Sequence, residues 1–152
     1  MSNFSQVREL LQHNQQLHSR TALFYADLAK EASDERVQML LATLVKHEQA
    51  LASELKHYLA QAADKILNTY FQFDHERSVE DLFTIDFPPA QITTDHVEKI
   101  ANQIDDYFYN LYQEMLDNAE HPQVKDVFEN LHQHILEEKK RLSIDIYSLY
   151  DM

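Results

Sequence analysis

The stretch that decides the fold is residues 17–44, LHSRTALFYADLAKEASDERVQMLLATL. Apolar residues recur there at spacings of three and four on both sides of positions 32–34, which is typical of two amphipathic helices. Ser33 or Asp34 is a candidate N-cap for the second helix. Because the joint is so short, we predict that the two helices pack as an antiparallel hairpin.

The same pattern returns later in the chain. A third periodic segment follows ITTD, where Thr93, Thr94 or Asp95 is a candidate cap, and a fourth begins near Pro122, a residue suited to a first helical turn. An aromatic-rich connection separates the two pairs, and its segment SVEDLF is predicted to form a helical turn capped by Ser78. We predict an all-α, antiparallel four-helix bundle in a single domain, 1–152, with helices at about 5–32, 34–66, 94–119 and 122–149 and a packed crossover at about 67–93.

Composition agrees with long helices and narrows the partners. The 152 residues include no glycine, no cysteine and three prolines, whereas tight hairpin turns depend on glycine. The formal net charge of −13 repels phosphate backbones and argues against a nucleic-acid partner. No apolar run is long enough to span a membrane, and MSNFSQVREL lacks the apolar core of a signal peptide, so the sequence predicts a cytoplasmic protein without a membrane partner.

The two halves of the chain resemble each other. A shift of 87 residues places Tyr25 on Tyr112, Ala32 on Ala119 and His47 on His134. The sequence therefore predicts two related hairpins.

Each predicted helix carries one polar residue near its middle that faces or flanks the core. Glu138 lies about 40° and Glu48 about 30° from the centre of its apolar stripe, while His18 and Asp105 lie at stripe edges. Three carboxylates gathered in a bundle interior repel one another unless they are paired, protonated or bound to a cation. One histidine with three carboxylates suits Fe, Mn or Zn, so these four residues are the predicted metal ligands; the alternative is that they pair with one another or with tyrosine hydroxyls.

Two Glu-x-x-His spacings resemble pairs of metal ligands, but one member of each pair faces away from the core. Glu129 and His57 lie about 140° and 150° from the stripe centres, so the pairs Glu129/His132 and Glu54/His57 are not predicted to bind metal. An exposed histidine such as His57 or His132 would also fit a phosphotransfer bundle. That interpretation is disfavoured because bulky residues follow His57 and the chain has no glycine beside it.

The segments LHSRTALFYADLAKEA (17–32) and VFENLHQHILEEKKRL (127–142) resemble the first and last helices of the ferritin-like superfamily, most nearly its rubrerythrin-like branch. The resemblance implies two helical hairpins joined by one long crossover. It also implies a carboxylate-bridged di-iron centre with oxidase- or peroxidase-like chemistry. Members with a working centre carry Glu on helices one and three, and Glu-x-x-His on helices two and four.

This chain departs from that ligand pattern. The family's six ligand positions fall, in chain order, on His18, Glu48, Leu51, Asp105, Ile135 and Glu138. The departure predicts a bundle that has lost the standard di-iron centre. Such a protein would act as a homo-oligomeric interaction or structural protein, and we predict a homodimer. No catalytic or cofactor-binding residue is assigned. The alternative is a metal-binding protein with an altered site for Fe, Mn or Zn. In that case His18, Glu48, Asp105 and Glu138 hold a single ion, and the protein has oxidase- or peroxidase-like chemistry.

Overall fold

The computed structural model describes residues 4–72 and 79–150, and most of these are helical, as predicted. Within these residues, four long helices form the bundle, together with a short helix, two short strands and two 3-10 turns. Their bounds are β1 Phe4–Gln6, α1 Val7–Glu31, α2 Glu35–Gln61, α3 Asp64–Leu67, β2 Tyr70–Gln72, 3-10 turns Glu80–Phe83 and Pro89–Gln91, α4 Thr94–Asn118 and α5 Pro122–Tyr150. No helix within the described ranges has the length and apolar content needed to cross a membrane.

The long helices pair as two hairpins. α1 and α2 are joined by residues 32–34, and the side chain of Asp34 caps α2 by accepting a hydrogen bond from the Arg36 N–H at 2.8 Å. α4 and α5 are joined by residues 119–121, and α5 begins at Pro122 as predicted. Contacts between the hairpins fix the helix directions. Asn14 Nδ2 lies 3.4 Å from Met115 Sδ, whereas His18 stacks on Phe108, so α1 and α4 run antiparallel.

The connection between the hairpins runs the length of the bundle. At one end, the Val7 N–H donates to the Thr69 carbonyl at 3.0 Å. At the other end, the Ser33 N–H donates to the Ala90 carbonyl at 3.3 Å, beside the joint between α1 and α2. The crossover therefore starts at the first turn of α1 and reaches the far end of that helix before α4 begins.

Two details correct the sequence-based boundaries. Helix α2 ends at Gln61, not near residue 66, because Ala62 and Ala63 adopt extended backbone angles. A separate short helix, α3, follows, and its Ile66 and Leu67 are buried. The chain before α1 is a strand rather than helix, since β1 pairs antiparallel with β2. Strands of three residues are too short to show the alternation that identifies a strand in a sequence. The predicted cap Ser78 lies outside the described residues, and the 3-10 turn Glu80–Phe83 occupies the end of SVEDLF.

The internal repeat has a counterpart in the structure. A shift of 87 residues takes the bounds of α1, Val7–Glu31, onto those of α4, Thr94–Asn118. Ala32 and Ala119, each with an extended backbone, end these two helices. Tyr25 and Tyr112 are both fully buried. Helices α1 and α4 are therefore equal in length and register, and α2 and α5 begin at equivalent positions of the repeat, Glu35 and Pro122.

Candidate metal centre

The four predicted ligands lie at the middle of the four long helices. His18 on α1 is 0% exposed, Glu48 on α2 is 2% exposed and Asp105 on α4 is 4% exposed. Glu138 on α5 is half-buried. The stripe geometry correctly assigned all four side chains to the interior or its edge, because helical periodicity determines which face of each helix packs inward.

Three of the four converge. Glu48, Asp105 and Glu138 each offer a carboxylate oxygen, and these three oxygens lie within 4.8 Å of one another. We refer to these three residues as the carboxylate cluster. Within residues 4–72 and 79–150, no hydrogen bond is seen to the carboxylates of Asp105 or Glu138. Acidic groups at such distances inside a bundle repel one another, which is the condition that a bound cation relieves.

His18 lies beside the cluster rather than within it. Its Nδ1 is 2.6 Å from Glu48 Oε2, and its Nε2 is 2.6 Å from the Tyr112 hydroxyl. The ring also stacks on Phe108, with centroids 3.9 Å apart and planes 12° apart. Because both ring nitrogens already have partners, His18 in this arrangement positions Glu48, and a role as direct metal ligand stays a prediction.

Two proton arrangements fit these distances. With Glu48 ionised, His18 Nδ1–H donates to Glu48 and the Tyr112 hydroxyl donates to Nε2. With Glu48 protonated, its O–H donates to Nδ1, and Nε2–H donates to the Tyr112 oxygen. A neutral imidazole serves both cases, so His18 can follow the charge of Glu48 without becoming charged itself.

Burial favours the neutral forms of all the groups at this centre. Burial raises the pKa of Glu48 to about 8. Burial and then the charge of Glu48 raise the pKa of Asp105 to about 8, against a smaller opposing effect of Lys139. Burial, with Glu48 and Asp105 nearby, raises the pKa of Glu138 to about 9, and burial lowers the pKa of His18 to about 3. Without a cation, the cluster therefore retains protons at neutral pH.

Two tyrosines form part of the surroundings that the sequence did not single out. Burial raises the pKa of Tyr25 and of Tyr112 well above the ordinary value, and the carboxylates of Glu48 and Glu138 add to the effect on both. Both rings thus sit beside the cluster. The internal repeat pairs these two residues, and this pairing is the sequence signal for them.

The Glu-x-x-His spacings do not form a site. Glu129 and His57 are exposed, as predicted from their angles. His132 is half-buried against the Tyr109 ring, with centroids 4.2 Å apart. The apolar residues at two of the family's ligand positions, Leu51 and Ile135, are 3% and 0% exposed and belong to the hydrophobic core.

Comparisons with known proteins do not identify this chain. No family model, no curated protein and no solved structure matches it.

Proposed function

We propose that this protein is a ferritin-like bundle that binds one divalent cation at Glu48, Asp105 and Glu138. The observation that carries the proposal is the approach of three carboxylate oxygens, from three different helices, to within 4.8 Å of one another. Two of the three side chains are at least nine-tenths buried, so solvent does little to screen their repulsion. A cation with two positive charges offsets that repulsion directly.

Metal binding at the cluster is coupled to proton release, because protons and the cation compete for the same carboxylate oxygens. Burial raises the pKa values of Glu48, Asp105 and Glu138 to about 8, 8 and 9, so a cation that binds at neutral pH must displace protons. Meanwhile, the His18 bond holds Glu48 in one orientation, which is how a histidine outside the ligand set supports a metal-binding carboxylate. Affinity is therefore expected to rise between neutral and mildly alkaline pH.

The donor atoms favour Mn²⁺, and the resemblance to the ferritin-like superfamily adds Fe²⁺ as a candidate. Carboxylate oxygens suit hard cations, and zinc more often takes nitrogen or sulfur ligands. A single ion is proposed because Leu51 and Ile135 occupy positions that a second ion would need for its ligands. The oxidase- or peroxidase-like chemistry implied by the resemblance stays a prediction, and faster Fe²⁺ oxidation by this protein than by a variant without the cluster is its test.

Metal analysis of protein purified without an affinity tag tests the proposal. We expect stoichiometric Mn or Fe, and its loss in the Glu48→Gln/Glu138→Gln variant, because each substitution removes an anionic ligand. The matched control is Glu114→Gln/Glu129→Gln, which removes two exposed glutamates from α4 and α5. Failure of the wild-type protein to bind added Mn²⁺ or Fe²⁺ at pH 8 would contradict the proposal.

The ferritin-like part of the proposal has its own support. The two hairpins, the antiparallel packing of α1 on α4 and a crossover as long as the bundle are the features of that arrangement. The equal bounds of α1 and α4 after a shift of 87 residues agree with a bundle built from two similar hairpins.

A second candidate function is an interaction protein without metal that works as a homodimer. Leu51 and Ile135, which fill the core at two of the family's ligand positions, favour it. So do Ile144 and Tyr147 near the end of α5, which are 64% and 72% exposed. Light scattering should give twice the mass of the chain, and a monodisperse monomer would count against this candidate.

A further inference from the structure

A cleft between α2 and α5 reaches the carboxylate cluster. It has a volume of about 210 Å³ and is lined by His47, Ala50, Leu51 and Glu54 on α2, together with the residues that lie 87 positions later on α5. The lining is thus made of four pairs related by the internal repeat. Helices α2 and α5 therefore contribute equivalent positions of the repeat to the cleft.

One residue belongs to both the cleft and the cluster. Glu138 lines the cleft, and one of its carboxylate oxygens lies within 4.8 Å of the oxygens of Glu48 and Asp105. Those two partners are buried and do not line the cleft. Glu138 is consequently the member of the cluster that meets solvent-accessible space.

Two larger cavities do not offer the same connection. One, of about 560 Å³, lies nearer the α2 C-terminus around Tyr58, and the other, of about 630 Å³, lies at the joint between α4 and α5. Neither is lined by any of the three cluster residues.

The charges at the cleft favour a small cation. Glu54, Glu137 and Glu138 line it, opposed by the single guanidinium of Arg141. His134 Nδ1 lies 3.0 Å from Glu54 Oε2, which holds that glutamate at the rim. Space for several water molecules is present, which suits a cation that arrives hydrated.

We propose that this cleft is the route by which a hydrated divalent cation reaches and leaves the carboxylate cluster, with Glu138 as the first cluster residue to replace a water ligand. The inference rests on the proposed metal binding. Asp105 is buried, and its carboxylate has no hydrogen bond within the described ranges, so it is available as a ligand at the inner end of the route.

A route has a kinetic signature that a ligand does not have. A residue that narrows the route without touching the bound ion raises the barrier in both directions equally. Association and dissociation then slow by the same factor, and Kd is unchanged. Loss of a ligand, in contrast, changes Kd.

The substitution Ala50→Phe tests the route, because Ala50 is exposed, lines the cleft and is not a cluster residue. Mn²⁺ is the probe: Kd is measured from the electron paramagnetic resonance signal of free Mn²⁺, and release is timed after mixing with excess EDTA. We expect release and loading each to slow by about tenfold or more, with Kd changed by less than about twofold. The matched control is Ala60→Phe, an exposed position on the same helix that lines neither α2 cavity.

Equal release rates in Ala50→Phe and Ala60→Phe would overturn the route. Should Ala50→Phe fail to fold by circular dichroism, Glu54→Gln/Glu137→Gln decides the matter: loading should slow and depend less on salt, relative to Glu129→Gln, because charges that attract the cation are gone. An unchanged rate of Mn²⁺ loading in that variant would also overturn the route. A wild-type protein that binds neither Mn²⁺ nor Fe²⁺ refutes the proposed function itself, whereas Mn²⁺ binding with unaffected rates refutes only the route.

Discussion

His18 shows how a single residue can look like a ligand in the sequence and serve another purpose in the fold. Its two ring nitrogens connect Tyr112 to Glu48, and its ring face packs on Phe108. A buried polar group with both partners in place contributes to stability, and the loss of one partner leaves the others with an unmet desolvation cost. His18 therefore joins the core of the bundle to the proposed metal ligand.

Replacing His18 by Leu should destabilise the metal-free protein by about 2–4 kcal/mol, because Glu48 and Tyr112 both lose a buried partner. Urea unfolding followed by circular dichroism measures the change. The control is His132→Leu, since His132 Nε2 is buried without a hydrogen bond, and its loss should cost less than about 1 kcal/mol. A similar loss of unfolding free energy in both variants would show that the hydrogen bonds of His18 do not stabilise the fold more than an unbonded histidine does.

The elements are defined by their ends as much as by their apolar stripes. Thr93 begins α4 with a reciprocal capping box: its side chain accepts from the His96 N–H at 3.2 Å, and its own N–H donates to His96 Nδ1 at 3.1 Å. The His96 ring also stacks on Phe87 of the crossover, with centroids 3.9 Å apart. The cap thus fixes where the crossover ends and where the helix that carries Asp105 begins.

The Thr93→Ala variant should lose about 1 kcal/mol of stability, because an orphan N–H in the first turn of α4 loses its acceptor. Thr43→Ala is the comparison: Thr43 is half-buried within α2 and its hydroxyl bonds only to the Met39 carbonyl of the same helix, so a change within about 0.5 kcal/mol is expected. Both are measured by urea unfolding. A Thr93 effect no larger than that of Thr43 would contradict the importance of the cap.

At the scale of the whole molecule, the internal repeat brings unlike residues to equivalent places. A shift of 87 residues takes His18 onto Asp105 and Leu51 onto Glu138, so the two hairpins contribute different polar groups to one centre. The result is a cluster with three raised pKa values in a protein whose surface already carries a large negative charge. Stability should therefore depend on pH and on a bound cation.

The thermal stability of the metal-free protein should fall as pH rises from about 7 to about 9. The folded pKa values of Glu48, Asp105 and Glu138 are raised, so the folded state binds more protons than the unfolded state, and this stabilisation is lost as pH passes through about 8 and 9. While a cluster carboxyl is protonated in the folded state and ionised in the unfolded state, it lowers the stability by up to about 1.4 kcal/mol per pH unit. The lowered pKa of His18 affects the stability only below the ordinary pKa of histidine, so it does not contribute between about pH 7 and pH 9.

Calorimetric Tm values between about pH 7 and pH 9 measure this loss of stability. Bound Mn²⁺ should make the fall in Tm smaller, because metal-bound carboxylates are ionised throughout that pH range. The control is Glu48→Gln/Asp105→Asn/Glu138→Gln, whose Tm should change little over the range, since the exposed carboxyls are already ionised at pH 7. A wild-type Tm that stays level over the range would contradict the raised pKa values of the cluster.

Sequence alone determined the four long helices, the two short joints and the inward placement of His18, Glu48, Asp105 and Glu138, because helical periodicity and end signals act over a few residues. It did not determine the break at Ala62 or the strand pair, because neither glycine, proline nor alternation marks them. Only the tertiary structure decided that three of the four polar residues converge while His18 turns to Tyr112, since atomic distances across different helices depend on how the hairpins pack. The cleft between α2 and α5 is likewise a property of two helices together, which periodicity within either one cannot show.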